Sequence, residues 1–342
     1  MRMIVRGIGV AGGFGCGVAD LSAALQGGSV VPGEFTVPTG SGPVQIPALR
    51  ASTARLEEFV AKKALRRIDH YSKLALLGSS LALQDGRMLG QDLSRLGLVI
   101  ASGYGATTTT FSFLDSVIAD GDALASPTHF ANSVHNAAAA YITMMLGVKG
   151  PSLTVSQFDM SVPSALASAR QWLAEGRVDQ VLFGAIDEIS ELVGYLWHRR
   201  SQTGAAGRTI PGEGAAFFLL GRDEAEEGGY CAIDDVFIGR SCAQSVAARD
   251  PYFIVRGSGE GSFRKSGGIP EGRCLGEYAG IYGSTPAGAA FDIAIAALML
   301  KEGRFVAGKG AAGGVEGIEA GHICTVTESG TGGCGVVQMS RL

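Results

Sequence analysis

The residues of this chain that could do chemistry are few: six cysteines, five histidines and some glycine-rich turns. The cysteines are Cys16, Cys231, Cys242, Cys274, Cys324 and Cys334; the histidines are His70, His129, His135, His198 and His322. No Cys-x-x-Cys pair or zinc-type spacing occurs, so no metal is expected. A nucleophilic cysteine needs a stabilised thiolate, which a helix start supplies. None of the six opens an expected helix, and they read as small buried apolar residues, reduced in a cytosol. His135 and His322 read as core or interface side chains. Gly103-Tyr104-Gly105 resembles a phosphate loop, but no acidic ribose partner follows at the dinucleotide spacing, and no cofactor is implied. The run containing Gly330, Gly332, Gly333 and Gly335 could offer backbone N–H groups to an oxyanion, although such glycines more often serve a tight turn.

These residues must be held by elements that the apolar pattern outlines. Leu96 to Ala101 is a short continuous apolar run, as a strand buried on both faces requires; Ile4 to Val10 and Ser152 to Phe158 also read as strands, and Val178 to Gly184 and Ala215 to Leu220 as further buried strands. Between them, Asp20 to Gln26, Asp69 to Gln84, Asn136 to Leu146 and Asp159 to Glu175 read as helices. Residues 27–56, rich in Gly, Pro and Thr, read as a surface excursion. The second half repeats the alternation more briefly. Strands are expected at Cys231 to Gly239, Tyr252 to Val255, His322 to Val326 and Val336 to Met339, with an alanine-rich helix from Ala287 to Leu300. The pattern predicts an α/β protein. Its Ala-, Ser- and Gly-rich helices suit packing between sheets, giving sheet, helix, sheet.

Composition narrows the function classes. The 342 residues carry 28 Lys plus Arg against 32 Asp plus Glu, a net charge of −4, which makes a nucleic-acid partner a poor fit. Charged residues are 18% and glycines number 52, pointing to a large interior and tight turns rather than disorder. No apolar run approaches the roughly 20 residues of a membrane span. The N-terminus shows no secretion signal, so a cytoplasmic protein is expected.

Five local patterns then agree in order and spacing. They are Asp69-His70-Tyr71-Ser72-Lys73-Leu74-Ala75, Asn136-Ala137-Ala138, Gly147-Val148-Lys149-Gly150-Pro151-Ser152-Leu153-Thr154-Val155, Gly212-Glu213-Gly214-Ala215 and Ser329-Gly330-Thr331-Gly332-Gly333. Together they resemble the β-ketoacyl synthases over nearly the whole chain. The resemblance implies a thiolase-like fold of two duplicated α/β halves, 1–222 and a shorter 229–342. It also implies dimers that handle acyl thioesters on an acyl carrier protein. Active members carry a Cys where this chain has Asp159. Their first catalytic His falls in the loop Arg256-Gly257-Ser258-Gly259-Glu260, at Arg256. Their second His falls at Ser284, and the accompanying Lys at Ala279. By the same resemblance, Gly330, Gly332 and Gly333 would border the substrate.

These replacements matter chemically. An Asp carboxylate would form a mixed anhydride, uphill from a thioester, and an Arg is a permanent cation that cannot shuttle protons. Asp159 could instead cap its helix, where the macrodipole favours an acid. An Asp159–Arg256 ion pair is expected to plug the site. The resemblance therefore implies a protein like the chain-length factors, which lack the nucleophile and pair with an active ketosynthase to shape an acyl tunnel. The interface would use Thr154 to Phe158 and Asn132 to Met145, in a homodimer or a heterodimer with a ketosynthase. Two alternatives stay open. One is an active 3-oxoacyl synthase or malonyl-thioester decarboxylase with unusual residues; the other is a homodimeric acyl- or lipid-binding protein.

Overall fold

A computed structural model describes residues 1–203, 209–223, 228–240, 242, 251–256, 270, 272–314, 319, 321–330 and 332–342. The first part of the chain forms β1 (Met3–Gly12), β2 (Gly15–Cys16), α1 (Val18–Gly27), β3 (Gly33–Val37), β4 (Val44–Ala48), α2 (His70–Asp85) and β5 (Leu96–Ser102). It continues through α3 (Thr107–Asp120), α4 (Pro127–Ser133), α5 (Ala137–Leu146), β6 (Ser152–Ser156), α6 (Ser161–Ala174), β7 (Gln180–Asp187), α7 (Glu191–Gln202) and β8 (Gly214–Arg222). The second part forms β9 (Cys231–Gly239), β10 (Tyr252–Arg256), β11 (Cys274–Gly276), α8 (Ala279–Tyr282), α9 (Gly288–Glu302), β12 (His322–Glu328) and β13 (Cys334–Ser340).

The duplication is written into the strand order. The first half runs β6-β5-β7-β8-β1 and the second β11-β10-β12-β13-β9, so each follows the order third, second, fourth, fifth, first. The senses repeat as well. The first two pairings are parallel in both halves, and the last two are antiparallel. The two units join edge to edge where Met3, Ile4 and Val5 of β1 pair with Ile233, Ala232 and Cys231 of β9.

β5 is buried at every position and β8 at all but its last residue, because helices cover both faces of the sheet. α2 packs on one face, against β1, β7 and β8. α6 and α9 lie on the other and touch strands of both halves, α6 through β5, β7, β9 and β13, α9 through β1, β8, β12 and β13. α9 is therefore buried over its whole circumference from Gly288 to Leu300. That is the sheet, helix, sheet layering.

The expected surface excursion contains the two-stranded hairpin β3–β4, and α7 had no sequence counterpart. The expectation of six reduced thiols fails at one pair. Cys334 opens β13 opposite Gly239 of β9, three residues before Cys242, so the strand pairing brings the two sulfurs together as a disulfide with Cα atoms 5.8 Å apart. Cys231, Cys274 and Cys324 are free and buried, as expected.

Candidate functional site

The site forms where β6 gives way to α6. Phe158 has φ 46°, a left-handed conformation that is costly for a bulky residue. The chain turns there in a single 3₁₀ turn, Phe158–Met160, before α6. The strained residue is thus Phe158, its ring 66% exposed, with the half-buried Asp159 next to it. Asp159 does not cap the helix. Ser161 takes over the local bonding. Its Oγ accepts from Gln157 N at 2.7 Å and donates to the carbonyls of Ser102 and Phe158 at 3.0 and 2.8 Å.

Asp187, at the end of β7, organises the surrounding loops. It is fully buried and accepts from Ser102 Oγ (2.9 Å), Gly103 N (3.0 Å), Tyr104 N (2.8 Å) and Ala287 N (2.9 Å). One carboxylate therefore ties the loop after β5 to the loop before α9. Burial raises its carboxyl to about 6 despite these bonds. The loops approach closely: a Cβ on Gly103 would overlap the Pro286 ring and stand 3.4 Å from Phe158 Cα.

Arg256 ends β10 on the same side. The expected ion pair with Asp159 is absent, and Arg256 instead donates to the Thr285 carbonyl and to Tyr282 Oη at 3.5 Å. Its guanidinium lies 5.9 Å from the Tyr282 ring centre. Tyr282 in turn donates to the buried Asp292 at 2.6 Å, whose carboxyl burial lifts to about 6. Arg256 is thus anchored from below by groups on α8 and α9. Asp159 remains a neighbouring charge with no hydrogen bond or ion pair among the described residues.

Ser284 is next to Thr285, so it joins the cluster, but through its backbone. Its N–H donates to the Ile210 carbonyl at 2.7 Å, and its carbonyl accepts from Gly212 N at 3.2 Å. That contact carries the Gly-Glu-Gly-Ala turn. Glu213 in this turn is fully buried and accepts from Ala51 N (3.1 Å), Ile189 N (2.9 Å) and Arg50 Nε (3.3 Å), with His70 Nε2 at 3.0 Å. Burial alone would raise its carboxyl, but His70, the Ile189 amide and Arg50 outweigh it and hold it below the ordinary range. Two motifs read separately in the sequence are therefore one buried network.

Of the loop glycines, Gly333 reaches the site: a Cβ there would stand 3.3 Å from Met160 Cγ. Gly330 and Gly332 are exposed with no neighbour in reach of a Cβ, and Gly332 N donates to Ser329 O at 3.0 Å in the turn between β12 and β13. Residues 257–260, which follow Arg256 in the expected histidine loop, and Thr331 lie outside the described residues.

Beside Phe158 opens a pocket of about 690 Å³, within the range that holds a small organic ligand. Tyr104, His135, Leu192, Leu196, Trp197, Arg199 and Arg200 are among its walls, and no cysteine is. Tyr104 is raised to about 12 by burial and nearby Asp187 and Asp159. His135 is exposed and lines the pocket, which rules out the core alternative for it. No motif or spacing marked α7, Asp187 or Asp292 as site elements. No group of three metal-ligating side chains occurs among the described residues.

This architecture is that of the thiolase-like ketosynthases. A β-ketoacyl synthase from Burkholderia phymatum STM815 superposes with a TM-score of 0.82 at 16% identity, covering 100% of this chain and 99% of that one. The ishigamide ketosynthase/chain length factor gives 0.75 at 18%, with both chains fully covered. A type II polyketide acyl-carrier protein in complex with its ketosynthase gives 0.79 at 17%, covering 100% and 99%. At these identities the likeness establishes the fold.

The family model for the β-ketoacyl synthase N-terminal domain matches residues 48–222, just over half of the chain, and the chain belongs to that family. Among curated relatives, 3-oxoacyl-[acyl-carrier-protein] synthase 2 of Vibrio cholerae is 23% identical over 140 residues, 40% of this chain and 34% of that protein. Nodulation protein E of Rhizobium leguminosarum bv. trifolii is 24% identical over 193 residues, 54% and 47% of the two chains. The aligned stretch spans less than half the length of each of these relatives. The chain is a ketosynthase-like protein. Among the described residues, no helix is long and apolar enough to cross a membrane.

Proposed function

We propose that this chain is a non-condensing, chain-length-factor-like subunit. It works in the cytoplasm with an acyl carrier protein and an active ketosynthase, and its pocket bounds the growing acyl chain. The observation that carries this reading is the chemistry of the elbow. Condensation needs a thiolate at the end of β6, and Phe158-Asp159 stands there beside an anchored Arg256. The free thiols elsewhere offer no substitute. Burial raises Cys16 and Cys231 above the ordinary thiol range and Cys324 to about 12, so they stay protonated and unreactive at neutral pH.

A partner is supported by the surface next to the elbow. β6 is an edge strand of the sheet. The neighbouring helices expose Phe111, Leu114, Ile118, Phe130, Val134 and Met144. A bare strand edge flanked by apolar side chains is a surface that pairing with another chain would cover. Val134 and Met144 belong to the expected interface of Thr154 to Phe158 and Asn132 to Met145, and we assign the ketosynthase to that face.

The test is reconstitution. The chain is co-expressed with each ketosynthase of its source genome in turn, and condensation is assayed with malonyl and hexanoyl carrier-protein thioesters. The expected result is one partner that co-purifies in equal amount and makes 3-oxoacyl product, with this chain alone making none. Product formed by this chain alone would refute the reading.

A further inference from the structure

The pocket beside the elbow combines apolar walls with two arginines, and the two together specify a ligand class. Phe158, Leu192, Leu196 and Trp197 supply apolar walls. Two of them are unusually open to water: Phe158 at 66% and Leu196 at 50%. The exposed phenyl is also the one held in the strained left-handed turn, so the fold bears a backbone cost to keep it there.

Arg199 and Arg200, in the last turn of α7, also line the pocket. Neither is in an ion pair among the described residues. Each guanidinium is instead positioned against an aromatic ring of its own helix, Arg199 at 6.0 Å from the Tyr195 centroid and Arg200 at 5.7 Å from that of Trp197. These ring contacts leave the guanidinium N–H groups free for a carboxylate, which arginine can bind with two parallel hydrogen bonds. Asp159, whose charge reaches the pocket wall at Tyr104, has no hydrogen bond or ion pair among the described residues and would repel an anion from the elbow toward the arginines.

We propose that the pocket binds a medium- or long-chain carboxylate, hydrocarbon against Phe158, Leu196 and Trp197 and anionic end on Arg199 and Arg200. The inference rests on the reading of this pocket as an acyl site and adds that the chain it selects ends in a charge. The ligand class is a free fatty acid or an acyl chain with a distal carboxyl group.

Calorimetric titration of the purified chain with decanoate and with decanol, each below its aggregation limit, tests this without any ketosynthase. Decanoate is expected to bind one to one, at least tenfold more tightly than decanol. Combining Arg199→Gln with Arg200→Gln should bring decanoate down to the affinity of decanol and leave decanol unchanged. Both positions are exposed, so the thermal midpoint should not move. Equal affinities in the unaltered protein would overturn the anionic end and leave the acyl pocket standing. Binding of neither compound, or a decanoate preference that survives the double substitution, would also overturn the proposal. The reconstitution experiment decides the subunit reading separately.

Discussion

Replacing Gly9 by alanine should remove a large share of the protein's stability, about 3 kcal/mol or more against a typical total of roughly 5–15. β1 lies so close to α2 that a Cβ on Gly9 would overlap the Gly78 carbonyl oxygen and the Ala82 amide, and would stand 2.9 Å from the Leu81 carbonyl carbon. These are backbone atoms in the middle of a buried helix and cannot move aside singly. The whole of α2 would have to lift, opening its packing on β1, β7 and β8. Gly28→Ala makes the control. Gly28 sits at φ 76° after α1 with nothing within 4 Å of a Cβ, so its substitution costs strain alone, about 1 kcal/mol. Urea midpoints of the two variants separate steric exclusion from backbone strain. A Gly9→Ala loss no larger than that of Gly28→Ala would mean that β1 and α2 are not in contact as described.

The second large effect is a fall in stability as the pH rises from about 5 to 7.5. Asp187 and Asp292 are both raised to about 6, and Glu188 to about 7, in each case chiefly by burial. Their unfolded values lie near 4, so between the two values the folded chain binds more protons than the unfolded one. Stability from these groups is present below the unfolded pKa and is lost as pH climbs through the folded value. For each aspartate a two-unit shift corresponds to about 3 kcal/mol in all, of which about half is lost above pH 5. Glu213 works the other way, since its folded value is lowered, but its contribution is lost only in more acidic solution. Denaturation midpoints at pH 5, 6 and 7.5 should therefore decline, and Asp292→Asn should flatten part of the slope. A midpoint that is flat or rises over this range would show that these carboxyls are not buried as charges.

The strands and helices that were legible in the sequence share one physical feature. β5, β7 and β8 are covered on both faces, so burial writes them as unbroken apolar runs. α7 was hidden because its pattern is mixed. Gly194 interrupts it, and the reason for that glycine is the approach of Phe35 and Val37 from the β3–β4 hairpin, far away in the chain. The site was legible in position and illegible in bonding. Spacing placed Asp159 at the elbow and Arg256 and Ser284 near it, yet both expected roles of Asp159 failed. Ser161, two residues on, holds the turn, and Tyr282 with Asp292 holds Arg256 from helices that the spacing did not connect to it. Asp187 lies beyond the strand expected at Val178 to Gly184, and nothing local marked it. Its importance lies in amide groups 83 to 100 residues away, which no local pattern encodes.

The elbow carries the central claim, because an acyl group either moves onto this chain or it does not. The direct measurement is the intact mass of the protein after incubation with a hexanoyl carrier-protein thioester, followed by peptide mapping. An unchanged mass is predicted, with Asp159 and every free thiol unmodified, while a partner ketosynthase in the same mixture gains the hexanoyl group. A stoichiometric hexanoyl adduct on this chain would contradict the account, and the mapped residue would identify the nucleophile.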